Sequence, residues 1–207
     1  MRGLVMCSFP HGKIEPKSGN KNYAGYLNEC MTGFEWQVSA HMLREGMVEQ
    51  GLAIGKAIYD RYLPEKRNPY NEVECSDHYS RAMASYGAYL AACGYRYDGP
   101  EGKLGFGPKI RPEDFKAAFT TAEGWGCFSQ KVDKQKHNVE LSIKYGKLVL
   151  KEFSVDKVDE VKATAVKAFL DGELIVVALK QGERSYILEF TNSIEIESGK
   201  TLNVEFS

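Results

Sequence analysis

The sequence predicts an α+β chain in which helices come first and a small antiparallel β-sandwich follows. Over residues 33–94 apolar side chains recur every three to four positions, which is typical of helices. From residue 139 onward they alternate with polar side chains, which is typical of half-buried strands. Residues 98–114 are rich in Gly and Pro and predict a connector between the two patterns. We therefore expect a helical part over residues 1–97, the connector, and a sandwich over residues 115–207.

The first two predicted helices form an antiparallel pair with a short connection. The first, "FEWQVSAHMLREG", has a four-residue apolar repeat and is expected to end at Gly46. Its repeat consists of Phe34, Val38 and Met42. The second, "MVEQGLAIGKAIYDRYL", is closed by Pro64. Its apolar face consists of Ile54, Ile58 and Tyr62.

The third predicted helix, "SDHYSRAMASYGAYLAACG", is unusually apolar and ends at Gly94. One stripe along it consists of Tyr79, Met83, Tyr86, Leu90 and Cys93. Most of the remaining surface is alanine, which allows close approach on several sides. Such a helix is not stable alone, so we expect other helices to enclose it.

The predicted strands are short and are separated by turn signals. The segment "NVELSIKYGKLVLKEFSV" alternates apolar and polar residues and is expected to turn at Gly146. In "VKAFLDGELIVVAL" the dipeptide Asp171-Gly172 predicts a hairpin. Further strands are expected in "QGERSYILEF" and "LNVEF". Strands this short and closely spaced favour an antiparallel sandwich.

The composition excludes several classes of protein. The chain has 207 residues, 43% of them hydrophobic and 27% charged, as in ordinary globular proteins. Its net charge of −1 gives no indication of a nucleic-acid or anionic-membrane partner. No apolar run approaches the roughly 18–20 residues of a transmembrane segment. Pro10 and His11 interrupt the N-terminal apolar run too early for a signal peptide.

The five cysteines are odd in number, widely spaced and without a C-x-x-C pair. This pattern argues against a disulfide scaffold or a zinc ribbon. It predicts free, mostly buried thiols in a reducing compartment, which slightly favours the cytoplasm.

The densest group of charged side chains lies in "NPYNEVECSDHYSRAMASYG". Asn68-Pro69 favours an extended backbone, and Ser76 or Asp77 could cap a helix that begins after them. This start leaves the two glutamates in the loop before the helix and puts the arginine in its second turn. The charged residues are Glu72, Glu74, Asp77, His78 and Arg81.

Three interpretations of this group remain open from the residues alone. Asp77 and Arg81 could form an i,i+4 ion pair on the helix surface, with the glutamates solvated. Glu74 and His78, with Cys75 nearby, could bind a metal, although zinc usually requires more His or Cys ligands. Glu72, Glu74 and Arg81 could bind sugar hydroxyls, because carboxylates accept and a guanidinium donates hydrogen bonds. We expect no metal and no cofactor.

The other candidates favour structural roles. His41 and His137 are lone histidines, which are more often structural residues than ligands. In "EGWGCFSQ", Trp125 and Phe128 could form a sugar-stacking platform, but packing in the sandwich core is favoured. "GKLGFGP" lacks the strand before it and the helix after it that a phosphate-binding loop requires.

Long stretches of the sequence resemble the C-terminal part of glycoside hydrolase family 116, which includes the non-lysosomal glucosylceramidase and bacterial β-glucosidases. The resemblance rests on "NECMTGFEWQVSAHMLREGMVEQGLAI", "NPYNEVECSDHYSRAMASYGAYLAACGY" and "LGFGPKIRPEDFKAAFTTAEGWGCFSQ". It implies a retaining β-glycosidase whose helices form an (α/α)₆ toroid. The helical part of this chain would then be the last helices of an incomplete toroid.

The resemblance also implies roles for individual residues. Glu72 and Arg81 match residues that bind hydroxyls of the sugar in the −1 subsite, and Glu29 matches another sugar-contacting glutamate. Met31 stands where the family motif Glu-x-Trp has an aromatic residue. Glu74 and His78 are expected to support this site.

No residue of the chain matches the family's nucleophile or its acid/base. We therefore expect the C-terminal part of a retaining β-glycosidase that acts on a β-linked glucoside or xyloside and lacks the N-terminal catalytic portion. Alone, it should have little or no activity. The alternative is a stand-alone non-catalytic carbohydrate-binding or structural protein.

Overall fold

The computed structural model describes residues 3–6, 29–72, 74–75, 81–133, 136–158 and 162–207. The chain divides into two compact units, Met1–Ala92 and Cys93–Ser207. Three helices are described: α1 (Thr32–Arg44), α2 (Val48–Arg61) and α3 (Ala84–Cys93). None of these described helices is long and apolar enough to cross a membrane.

Ten strands follow the helices in the described residues. They are β1 (Arg96–Asp98), β2 (Lys103–Phe106), β3 (Asp114–Thr120), β4 (Gly124–Asp133), β5 (Lys136–Asp156), β6 (Val166–Leu170), β7 (Glu173–Ile175), β8 (Val177–Gln181), β9 (Ser185–Glu197) and β10 (Thr201–Phe206). The segment predicted to be a connector, residues 98–114, thus contains all of β2.

The predicted fold class was wrong. Strands dominate the described residues, and the three helices do not make part of an (α/α)₆ toroid. The sheet is mixed rather than purely antiparallel, because β2 pairs with β5 in the parallel sense. The toroid was expected because of the resemblance alone. The apolar period over residues 33–94 did predict helices where α1, α2 and α3 lie, but it could not indicate how these helices pack.

Helix α1 ends where the sequence predicted. Gly46 has a φ of 82°, the left-handed conformation in which glycine is favoured. The Gly46 N–H bonds the Leu43 carbonyl at 3.3 Å, and the Met47 N–H bonds the Met42 carbonyl at 2.9 Å. This pair of bonds is a Schellman motif, which satisfies carbonyls at the end of the helix.

The buried face of α1 lies one position away from the predicted stripe. Phe34, Val38 and Met42 are only partly buried, while the fully buried positions are Thr32, Gly33, Glu35, Ser39 and Leu43. A tight contact with α2 explains the shift. The Ser39 hydroxyl donates to the Gly51 carbonyl at 2.8 Å, and a Cβ at Gly51 would lie 2.9 Å from Leu43. The close helix contact therefore favours small and polar residues over the predicted apolar stripe.

Helix α3 also buries a different face from the one predicted. Met83 is 87% exposed and Tyr86 is 42% exposed, whereas Ala88 and Ala91 are buried. The two alanines pack in a cluster with Leu43 of α1. Alanine allows this close approach, so Met83 and Tyr86 of the predicted stripe lie outside, while Leu90 is half-buried and Cys93, the last residue of the stripe, is buried as predicted. Residues 76–80, where this helix was predicted to begin, are outside the described part.

Strand β5 is 21 residues long and belongs to two sections of the sheet. Its first part pairs with β4 and β10, and its last part pairs with β2 and β9. The predicted turn at Gly146 is not formed. Gly146 has a φ of 71°, but the strand continues beyond it, and a Cβ there would lie 2.0 Å from the Glu123 carbonyl oxygen.

The predicted hairpin at Asp171-Gly172 is confirmed. Both residues have positive φ values, 50° and 88°, as a type I′ turn requires, and Leu170 faces Glu173 across it. The core of this unit contains Phe128, whose ring stacks on that of Phe106 with centroids 3.9 Å apart. Trp125 was also expected in this core, but 46% of it is exposed.

Candidate functional site

The chain that leads to Glu72 is held in a turn by Asn68. The Asn68 side-chain oxygen accepts the Tyr70 N–H at 3.0 Å, and the Asn68 backbone carbonyl accepts the Asn71 N–H at 3.2 Å. Asparagine commonly forms such turns because its side chain bonds the backbone two residues on. Beyond this turn, one carboxylate oxygen of Glu72 accepts the backbone N–H of Arg81 at 2.7 Å. The structure thus brings Glu72 and Arg81 together.

Glu74 is fully buried and connects Arg81 to the start of α1. Its Oε1 lies 2.7 Å from the Arg81 Nε, and its Oε2 accepts the Gly33 N–H at 3.2 Å. That N–H belongs to the first turn of α1, where backbone donors lack partners within the helix. Met31, at the N-cap, supplies no side-chain bond, so Glu74 satisfies this donor from a distant part of the chain.

Gly33 makes this contact between α1 and the loop possible. A Cβ at this position would lie 2.7 Å from the Arg81 Cδ and 3.0 Å from the Glu74 Oε2. Any larger residue would push Arg81 or Glu74 away from the helix. The glycine is therefore part of the geometry that holds the Glu74–Arg81 pair.

The guanidinium of Arg81 is oriented on two sides but is still accessible to solvent. Glu74 holds its Nε, and the ring of Phe34 lies below it, 5.3 Å from the guanidinium carbon. The side chain of Arg81 is nevertheless 40% exposed. A donor that a buried carboxylate and an aromatic ring hold in place can present a fixed edge to a ligand.

The Glu72 carboxylate lies in a half-buried environment. Burial raises the pKa of Glu72, the hydrogen bond from the Arg81 N–H opposes that rise, and the charge of Glu74 adds to it. A carboxylate with reduced solvation interacts more strongly with hydroxyl donors than a fully solvated one.

A cavity of about 440 Å³ lies beside Glu72 and is lined largely by aromatic rings. Its aromatic residues come from α1, α2 and the loop that follows, and they are Trp36, Tyr59, Tyr62 and Tyr70. Tyr70 is 92% exposed and Tyr59 is 65% exposed. The sequence reasoning missed this cavity, because it assigned Tyr62 to helix packing and did not consider the other three rings. Tyr70, an aromatic residue two positions before Glu72, was the available signal.

Glu29 and Met31 lie on the chain that enters α1. Glu29 is half-buried, and its carbonyl accepts the Met6 N–H at 3.0 Å. Met31 is 1% exposed, so its side chain lies in the interior of the unit rather than on a surface for stacking. His78, the other predicted supporting residue, lies outside the described residues.

A second buried ion pair in this unit was not predicted. Both terminal nitrogens of the Arg61 guanidinium donate to the carboxylate of Glu35, with Nη1 3.1 Å from Oε1, and the Leu4 N–H donates to Oε1 at 2.7 Å. The side chains are 6% and 0% exposed. This pair joins α1 to α2, and a buried charge that lost its partner here would be strongly destabilising. Nearby, burial raises the pKa of the Cys30 thiol, as does the charge of Glu35.

The histidines and cysteines named in the sequence analysis lie in surroundings that suit structural roles. His41 is exposed and lies 3.7 Å from Glu45, one helical turn away. His137 is fully buried beside Phe206, and burial lowers its pKa to about 4. Within the described ranges, no three His, Cys, Asp or Glu residues are placed to hold a metal ion. The four described cysteines, Cys30, Cys75, Cys93 and Cys127, are free thiols.

No family model and no curated protein matches the sequence. Among solved structures, the chain is similar to an α-L-rhamnosidase from Dictyoglumus thermophilum (17% identity, TM-score 0.34) and covers 14% of it with 60% of its own length. It is also similar to a GH127 β-L-arabinofuranosidase from Geobacillus stearothermophilus T6 (11% identity, TM-score 0.36) and covers 18% of it with 61% of its own length. The chain thus spans less than a fifth of these two glycoside hydrolases.

Proposed function

We propose that this chain is the sugar-binding C-terminal part of a β-glycosidase and that Glu72 and Arg81 bind hydroxyls of the sugar ring. The sequence motifs that resemble family 116 support this proposal, as does the placement of the two side chains. The proposed ligand class is a β-linked glucoside or xyloside.

The observation that carries the proposal is that Arg81 contacts two carboxylates, one through its side chain and one through its backbone. Glu74 is buried and lies 2.7 Å from the Arg81 Nε, while 40% of the Arg81 side chain remains exposed. The Glu72 carboxylate accepts the backbone N–H of the same residue at 2.7 Å. A directed donor next to an acceptor suits two neighbouring hydroxyls of a sugar, because one can accept from the guanidinium while the other donates to the carboxylate.

The cavity beside Glu72 adds the second element of a sugar site. A pyranose ring has a face of C–H groups, which packs against an aromatic ring, and hydroxyls around its edge. Trp36 and Tyr70 supply such rings, and Glu72 lies at the edge of the same cavity. Small-molecule sites commonly combine apolar walls with a few directed polar groups.

We propose a binding role for Glu72 and a positioning role for Glu74, and a catalytic role for neither. Retaining hydrolysis needs two carboxyl groups about 5–5.5 Å apart, both accessible to the substrate. Glu74 is 0% exposed and is occupied by Arg81 and Gly33, so it cannot reach a substrate. We therefore propose that the nucleophile and the acid/base belong to other parts of the enzyme.

The experiment uses Trp125→Phe, which leaves Trp36 as the single tryptophan of the chain. Titration with methyl β-D-glucoside and methyl β-D-xyloside should change the Trp36 emission saturably. Glu72→Gln and Arg81→Ala should abolish this change, while the matched controls Glu65→Gln and Arg44→Ala, both exposed residues of the same unit, should leave it intact.

Two results would contradict the proposal. If neither sugar changed the emission or released heat in calorimetry, the binding role would be wrong. If the chain alone hydrolysed an aryl β-glucoside and Glu72→Gln stopped that reaction, the purely binding role of Glu72 would be wrong.

A further inference from the structure

Two large aromatic side chains lie exposed and opposite each other in the strand unit. Trp125 of β4 is 46% exposed and Tyr145 of β5 is 67% exposed. The two residues are register partners in the antiparallel β4–β5 pair. Cross-strand partners project from the same face of a sheet with Cβ atoms about 5 Å apart. Their rings therefore share one surface.

The backbone around Trp125 is irregular, and it approaches the Tyr145 strand closely. The β4–β5 register shifts between Trp125 and Gly126, which marks an irregularity of the bulge type. A Cβ at Gly124 would lie 2.4 Å from the Tyr145 carbonyl oxygen, so a larger residue does not fit there.

Exposure of these rings is unfavourable for folding, which suggests that the surface has a ligand. Each Å² of apolar surface removed from water, in the folded chain or in a complex, contributes about 25 cal/mol of stabilisation. Phe128, three residues along the same strand, is fully buried in the core, so β4 has a core face available. The pair lies on the surface instead.

We propose that Trp125 and Tyr145 form a second saccharide-binding surface, located in the strand unit rather than in the unit of Glu72 and Arg81. The rings would stack on the C–H faces of neighbouring sugar units. Polar groups lie at the edge to meet the hydroxyls: Glu123 is exposed one residue before Gly124, and Lys147 lies two residues after Tyr145. The Lys147 N–H bonds the Glu123 carbonyl oxygen at 3.2 Å, which joins the two backbones next to the rings, and the Lys147 Nζ lies 3.0 Å from the Glu195 carboxylate.

The size of the surface favours a saccharide over a protein partner. Two aromatic side chains bury at most about 300–500 Å² together. A stable protein interface requires about 800 Å² from each partner. A pair of rings with charged neighbours matches two or three sugar units instead.

The test uses Trp36→Phe, in which Trp125 is the single tryptophan. Cellohexaose and maltohexaose are titrated into the full chain while Trp125 emission and heat are measured. We expect saturable binding in the millimolar range with at least one of the two, weakened about fivefold or more by Tyr145→Ala. Leu174→Ala, a change at a 68% exposed apolar residue of the same unit, is the control and should bind normally.

Each outcome decides the proposal. Saturable emission change that Tyr145→Ala weakens and Leu174→Ala does not would support it. No change in emission and no heat up to about 10 mM of either sugar would overturn it, and so would binding that is insensitive to Tyr145→Ala. Because the other site is reported by Trp36 in Trp125→Phe, the two proposals can fail independently.

Discussion

Replacement of Glu74 by glutamine tests the contact that holds the proposed sugar site together. Glutamine keeps the shape of the side chain and one carbonyl oxygen, but it removes the charge that faces the Arg81 Nε at 2.7 Å. We expect two effects: a less stable helical unit and an Arg81 side chain that is no longer held in place.

The expected loss of stability follows from the two contacts of Glu74. A cap at a helix N-terminus contributes about 1 kcal/mol, and glutamine retains part of it. The contact between the Glu74 Oε1 and the Arg81 Nε is an ion pair, and because 40% of the Arg81 side chain is exposed it contributes about 1 kcal/mol. Glu74→Gln should therefore lower the free energy of unfolding by about 1–2 kcal/mol.

A double-mutant cycle measures the contact itself. Glu74→Gln, Arg81→Ala and the double variant are made in the Trp125→Phe chain, so that Trp36 emission follows urea unfolding of the helical unit. The coupling free energy should be about 1 kcal/mol, and Glu74→Gln should also weaken binding of methyl β-D-glucoside. Glu65→Gln, at an exposed position, should change neither quantity. A coupling below about 0.3 kcal/mol would refute the reasoning, because the two side chains would then act independently.

Three further predictions concern other residues. Burial lowers the pKa of His137 from 6.5 to about 4, so the unfolded chain binds a proton that the folded chain excludes, and the free energy of unfolding should fall by about 3 kcal/mol as the pH drops from 6.5 to 4. Urea unfolding at pH 7 and pH 4.5 should show this slope, and His137→Phe should remove it. Glu35→Gln should cost about 3–5 kcal/mol in thermal or urea unfolding, because it leaves the charge of Arg61 buried; a loss below 1 kcal/mol would contradict this. Gly33→Ala should weaken binding of methyl β-D-glucoside in calorimetry by displacing Arg81, and unchanged affinity would count against the role of that contact.

Local chemistry explains the features that were predicted correctly. The end of α1 at Gly46 and the turn at Asp171-Gly172 both depend on positive φ values at residues that tolerate them. Such signals lie within a few residues and need no knowledge of the rest of the chain.

The failures have a common physical cause, which is the influence of distant residues. The buried face of α1 was misplaced because Glu35 pairs with Arg61, 26 positions away. The turn predicted at Gly146 does not form because β5 keeps hydrogen-bond partners on both sides of it. The local spacing of apolar residues could not indicate either contact.

In the candidate site, too, some features could be predicted from nearby residues and others depend on residues that are distant in sequence. Its charged residues could be found from the sequence, because Glu72, Glu74 and Arg81 lie within ten residues of one another. The predicted helix cap, Ser76 or Asp77, lies outside the described residues, and Arg81 precedes α3 instead of lying in the second turn of the helix. The aromatic cavity could not, since Trp36 and Tyr59 come from two different helices that meet only in three dimensions.

The long strand β5 has a consequence for how the strand unit folds. Its partners include β2, in which Leu104 faces Phe153, and β10, in which Leu202 faces Leu141. These pairings join residues that are far apart along the chain, and loop closure over such distances slows folding. Since both sections of the sheet share this one strand, neither can be completed before β5 is in place. We therefore expect slow, cooperative assembly of this unit, with the placement of β5 as the step that both sections require.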